Sequence, residues 1–407
     1  MNYIDDFNSL APFFFYPGLV GLLSITIFLC GIKKFAGPIA FASLYLYGGT
    51  LLMAGAGGAL LLQAAFLNLI FLVFLYLGGR ISLSRYSHLV TIGPSATLTT
   101  KLLSFMIVVT YVLILTYVLI NFAVSFKLDK INWVTNAGFL PYLLALLNGM
   151  MLTYAFIFLA SKNYTLFLLL IFVLIAGGYV FGEKITLLNM AILIVTVMMQ
   201  KPRIRPRVVV YSISIVVLFF ALTLYFFGAN EGGIDNALTA LLIRLIATFD
   251  GTMIILSLEL HESYLLPHDF LYYVFDFITS KIFGPTQGVG QILAGTNVYN
   301  YPPNGGPNDS LINYFLLSSG LNKVLVCVFL AASSFLLGYL DRVIKQGKIN
   351  SYAFGWKLIL IPLYFMLPAF FQATGTAFLL LARYYFLLLP SLIFVYIITI
   401  GIKSDRN

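Results

Sequence analysis

The residues with the strongest capacity for chemistry crowd into one stretch. Two of the chain's three histidines, His261 and His268, stand there with Asp250, Glu259, Glu262, Asp269 and Asp276. A histidine or carboxylate held beside a hydroxyl can take its proton as the oxygen attacks, so the group suits general-base work. A metal site is not expected, because no HExxH run or tight ligand pair occurs, and Cys30 and Cys327 lie far apart inside apolar runs. Tyr264, Tyr272, Tyr273, Tyr299 and Tyr301 accompany the acids. Such tyrosines can stack on sugar rings or form an interfacial belt, and the sequence supports both readings equally.

The second chemical signal is a small set of cations at the ends of apolar segments: Arg244, Lys281, Lys184, Lys323 and Arg383. Lys323 reads as an interfacial anchor. Arg383, in FLLLARYYFLLL, lies inside an apolar run, where a cation costs a few kcal/mol unless paired or solvated. A structural ion pair with a loop acid would satisfy it, and so would an anionic lipid headgroup such as a diphosphate. The planar guanidinium fork matches phosphate oxygens, which favours phosphate for Arg383 and Arg244, with Lys184 and Lys281 as further candidates.

The elements that must position these groups follow from composition. The chain has 407 residues, 61% hydrophobic and 9% charged, against about 25% charged in soluble domains. A soluble enzyme, a disordered chain and a disulfide scaffold are excluded. The net charge of +9 comes from short basic clusters between apolar runs and implies no nucleic acid. The N-terminal MNYIDDFNSL has no basic n-region, so the first apolar run is expected to be retained as a span.

The reading is an all-α polytopic membrane protein of about eleven transmembrane helices. They are expected near 12–31, 36–54, 58–78, 102–122, 139–160, 164–181, 185–200, 208–228, 321–340, 353–372 and 378–402. The sixth and seventh are short and share Gly177, Gly178 and Gly182, which suits a tight hairpin or a partly re-entrant pair. Basic loops such as KPRIRPR mark the cytoplasmic side, while all acidic residues but Asp341 and Asp405 fall on the other. Lys127 and Lys130 are the exception. The N-terminus is therefore expected outside and the C-terminus inside. Three regions result: 1–228 with eight helices, a large external loop at 229–320, and 321–407 with three helices and a cytoplasmic tail. The loop should carry short helices, an interfacial one over ALTALLIRLIATF, and ordered turns over FGPTQGVG and YNYPPNGGPNDS.

This architecture resembles the bacterial O-antigen and enterobacterial-common-antigen polymerases (Wzy-type), relatives of the O-antigen ligases. Pro307-Asn308-Asp309-Ser310-Leu311 with Gly320 is similar to the HNxxL…G pattern that closes the ligase loop, but a proline stands at the ligase histidine. Arg244 before Asp250 is similar to a segment of the common-antigen polymerases, where a histidine also follows. AGGYVFGEK is similar to their Gly-Gly-x-Arg turn, with Lys184 for arginine, and Arg383 resembles the arginine opening their last span.

The resemblance implies a periplasmic glycosyltransferase in the bacterial inner membrane. It would move a growing glycan from undecaprenyl diphosphate to the non-reducing end of a lipid-linked repeat unit, inverting, without metal or cofactor. Its partners would be that lipid-linked oligosaccharide, membrane lipid and a chain-length regulator. Arg244, Arg383, Lys184 and Lys281 would hold the diphosphate. Asp250 or His261 would be the base, and Asn308, Asp309, Tyr299 and Tyr301 would position glycan or loop. The alternatives are an O-antigen ligase, which Pro307 disfavours, and a lipid-linked oligosaccharide flippase, which the one-sided charge disfavours. A polyprenyl-phosphate-sugar transferase needs a large first external loop, and Gly55 to Gly57 is too short.

Overall fold

The computed structural model describes residues 37–81, 98–124, 127–128, 133, 136–161, 163–181, 193, 249–263, 266–283, 288–295, 309–345, 349 and 354–404. Among these the fold is helical. Among the described residues seven helices are long and apolar enough to cross a membrane, and the chain is a multi-pass membrane protein. The sole strand pairing among the described residues is a two-residue antiparallel ladder, Ala123–Val124 (β1) with Lys127–Leu128 (β2). The expected spans at 12–31 and 208–228, and all of 185–200 but residue 193, lie outside the described residues.

The chain divides into two compact units: 1–82, 213–342 and 367–379 form the first, and 83–212, 343–366 and 380–407 the second.

The first unit opens with α1 (Pro38–Ala56) and α2 (Gly58–Arg80). Gly57 and Gly58 join them with φ of 78° and 56°, left-handed backbone that glycine adopts without penalty. The Thr50 hydroxyl donates to Asn68 Oδ1 across the pair at 3.1 Å. The segment read as an external loop folds into α6 (Asp250–Ser257), α7 (Leu260–Ser263), α8 (Phe270–Val274), α9 (Asp276–Phe283), α10 (Val289–Ala294) and α11 (Leu311–Leu317). Short helices there were expected; ALTALLIRLIATF, apart from Phe249, falls outside the described residues.

The spanning helix α12 (Gly320–Lys345) crosses α2 at backbone contact. A Cβ on Gly78 would strike the Phe335 carbonyl, and one on Gly338 the Leu75 carbonyl. Small residues at such crossings let helices approach where lipid supplies no hydrophobic driving force. At the edge of the crossing Arg342 Nη1 donates to the Gly79 carbonyl at 2.7 Å. That satisfies an orphan acceptor in the last turn of α2.

The second unit contains α3 (Leu98–Asn121), α4 (Leu140–Ala160), α5 (Tyr164–Phe181) and α13 (Phe354–Met366), with most of α15 (Thr374–Ser404). Helix α5 runs through Gly177 and Gly178 unbroken. Gly177 is small because the Tyr111 hydroxyl of α3 occupies the space a Cβ would need. The span expected over 353–372 appears as the apolar segment Phe354–Gln372, with a local break at Leu367-Pro368 between α13 and α14 (Ala369–Gln372). Proline removes the amide and clashes with the preceding turn, which ends the longer helix.

Candidate functional site

Asp309 is the best-constrained candidate in the first unit. It precedes α11, whose N-cap Ser310 accepts from the Asn313 amide at 3.3 Å. Its Oδ2 accepts from the Tyr314 hydroxyl at 3.3 Å and from the Gly375 amide at 3.3 Å, and its own carbonyl accepts from the Thr374 amide at 3.1 Å. Thr374 and Gly375 open α15, so the carboxyl faces free amides at a helix start. Gly375 must be small, since a Cβ there would come within 2.9 Å of Oδ2. Burial pushes the Asp309 carboxyl up to about 6, against the pull of the backbone and Tyr314 hydrogen bonds. A carboxyl in that range can accept a proton near neutral pH.

Around Asp309 lies an aromatic wall. Tyr314 packs against Tyr273 at 5.7 Å and Phe270 at 5.3 Å between ring centroids. His268 stacks on Tyr272 at 4.3 Å and 14°, and Asp269 accepts from Asn322 Nδ2 at 2.9 Å. Thus His268 and Asp269, neighbours in the sequence cluster, are engaged by the ring of α8 and the start of α12 respectively.

Asp250 opens α6 and is buried, with Oδ1 accepting the Gly251 amide at 2.7 Å. The helix is held from both sides. Phe249 presses its ring on Gly48 of α1, and Thr252 donates to Asn313 Oδ1 of α11 at 2.7 Å. His261 lies on the next helix, α7, and is partly exposed.

Arg383 lies in the second unit, partly buried inside the apolar α15. Its guanidinium carbon sits 5.3 Å from the Tyr142 ring centroid, a cation–π placement. Its buried Nε meets no acceptor, and no carboxylate pairs with it among the described residues. Of the two explanations for this cation, a structural ion pair with a loop acid thus finds no partner among the described residues.

The supports of Arg383 come from its neighbours. Pro362 interrupts α13 and cannot donate to the Leu358 carbonyl one turn earlier. The Tyr384 hydroxyl donates to that carbonyl at 2.6 Å, and the Tyr385 hydroxyl donates to Ile359 at 2.6 Å. Gly149 of α4 makes room for the Tyr384 ring.

Asp250, His261 and Asp309 belong to the first unit and Arg383 to the second. Arg244, Lys184, Asn308, Tyr299 and Tyr301 lie outside the described residues, and of Lys281 only the backbone, within α9, is described. Among the described residues no group of three or more histidine, cysteine or acidic side chains could hold a metal ion.

Sequence reading missed Tyr142, Tyr314, Gly375 and the Tyr384–Tyr385 pair. A proline inside an apolar run demands a foreign donor for the freed carbonyl, so Pro362 and the Arg-Tyr-Tyr triplet carried a usable signal. No protein-family model, curated protein or solved structure matches the chain.

Proposed function

We propose that the chain is an oligosaccharide repeat-unit polymerase of the O-antigen type, working on the periplasmic face of a bacterial inner membrane. The observation that carries this reading is Arg383. A guanidinium in an apolar spanning helix, backed by the Tyr142 ring and without a carboxylate partner among the described residues, suits an anionic ligand at the membrane boundary. A polyprenyl diphosphate supplies that charge together with a lipid tail.

In the proposed step the acceptor sugar hydroxyl attacks the anomeric carbon of the donor glycan. The new C–O bond forms as the bond to the diphosphate breaks, the hydroxyl proton passes to a base, and undecaprenyl diphosphate departs. Arg383, with Arg244, Lys184 and Lys281, takes up the negative charge of the leaving group. Asp250 and His261 are candidates for the base. Asp309 joins them, because burial raises its carboxyl to about 6 and two donors outside its own residue, the Tyr314 hydroxyl and the Gly375 amide, hold it.

The test is complementation of a polymerase-null host, read as glycan ladders on a gel at matched membrane expression. Wild type should restore the ladder, and Arg383→Ala should leave single repeat units. Asp250→Asn, His261→Ala and Asp309→Asn then identify the base. A host that already makes long lipid-linked chains, transferred only when this protein is added, would point to a ligase. Repeat units reaching the periplasm only in its presence would point to a flippase.

A further inference from the structure

Helices α8 and α9 carry an apolar stripe that stays exposed. Leu271 is 43% exposed, Phe275 38%, Ile278 46% and Ile282 67%, with Phe283 beside them at 73%. The spacing of 271, 275, 278 and 282 follows one face of a helix. The amides of Ile278 and Thr279 both donate to the Phe275 carbonyl, which carries the helical path across the junction of the two elements. The opposite face is engaged: Phe270, Tyr273 and Val274 are buried.

Two contacts tie this segment to apolar helices long enough to span. At its start the Phe270 amide donates to Asn322 Oδ1 at 3.4 Å, and Asn322 Nδ2 donates to Asp269. Asn322 lies in the first turn of the span at 320–344. Farther along, the Phe275 ring stands 5.1 Å from Phe378, near the start of the span at 374–394. The segment thus bridges the first turns of two apolar helices within the first unit. On α12, which begins beside this segment, Leu321, Val324 and Val328 are 74%, 55% and 58% exposed, an apolar stripe at helical spacing. The exposed face of α8–α9 matches it in character.

We propose that α8–α9 lies in the outer membrane interface, with Leu271, Phe275, Ile278, Ile282 and Phe283 set among lipid acyl chains. Helices with one broad apolar face settle at the headgroup boundary in this way. The segment then anchors the 249–320 region to the bilayer.

The experiment uses the full chain in phosphatidylcholine vesicles. The chain has two tryptophans, Trp133 and Trp356, and both are changed to phenylalanine. Single reporters are then installed as Ile282→Trp, Phe283→Trp and, for a mid-span comparison, Val328→Trp. Lipids brominated near the headgroup end of the acyl chain should quench most of the emission at positions 282 and 283, and lipids brominated near the tail should quench less. Position 328 should show the reverse order. Emission at 282 and 283 that bromine leaves unchanged but aqueous acrylamide quenches places the stripe in water and overturns the proposal. Emission that neither quenches means that protein covers it, with the same result.

Discussion

The Tyr384 hydroxyl donates at 2.6 Å to the Leu358 carbonyl that Pro362 leaves without its helical amide. In a membrane no water is at hand to replace that donor. The bond therefore ties α13 to α15 at the turn where the proline leaves a carbonyl without its helical amide.

Tyr384→Phe should destabilise the chain by about 1 kcal/mol, the scale of an interhelical hydrogen bond in a bilayer. The same change in a Pro362→Ala background should cost less, since alanine restores the amide to Leu358. A double-mutant cycle by denaturant titration in detergent micelles measures the difference, which should exceed the scatter of independent sites.

Arg383→Ala should reduce glycan polymerisation about 10- to 100-fold, the loss expected when a hydrogen-bonded charge worth about 1.5–3 kcal/mol is removed. Arg383→Lys keeps the charge but not the planar fork and should fall between the two. Tyr142→Phe keeps the ring beneath the guanidinium but removes the hydroxyl that accepts a hydrogen bond from Arg383, and should fall between wild type and Tyr142→Ala. Initial rates of ladder growth in isolated membranes check all four.

Asp309 makes a pH signature. Its folded value, about 6, lies above the ordinary carboxylate value of 3.8. A raised value means that the neutral form is the better folded form. Its contribution is thus full below 3.8 and is lost as pH climbs through about 6. Asp309→Asn keeps an oxygen for the Gly375 and Tyr314 donors without the charge. It should match wild type in acid, exceed it in thermal stability at neutral pH, and flatten the slope between. Melting curves of the detergent-solubilised chain across that range decide it.

Gly78→Ala places a methyl against the Phe335 carbonyl, and Gly338→Ala places one against Leu75. Backbone cannot swing aside as a side chain can, so each should cost at least the ~1–3 kcal/mol of an overpacked core. The pair should be strongly non-additive, because the first change already parts α2 from α12. Unfolding of the single and double variants by denaturant provides the comparison.

Much of the helical framework was legible because long apolar runs can do little else in a bilayer. The spans expected at 36–54, 58–78 and 139–160 appear as Pro38–Ala56, Gly58–Arg80 and Leu140–Ala160. The break at Leu367-Pro368 was missed because hydropathy stays high through it. Arg383 was legible as an anomaly of burial, a local property of sequence. Asp309 was picked out through its surrounding motif, yet its cradle was not, since Gly375 lies 66 residues away. The choice of Asp250 rested on its place after Arg244. Its burial at a helix start against Gly251 depends on α1 and α11, which no local pattern specifies.

The same 66-residue separation sets a timetable for the newborn chain. When Asp309 leaves the ribosome, the amides of Thr374 and Gly375 that will hold it do not yet exist. At about 5–20 residues per second, roughly 3–13 s pass before they are made. Throughout that interval the Asp309 carboxyl has its own backbone amide and Tyr314 but not Gly375, and it is free to stay hydrated. Its burial is therefore among the late events of biogenesis, completed when the segment that begins α15 arrives.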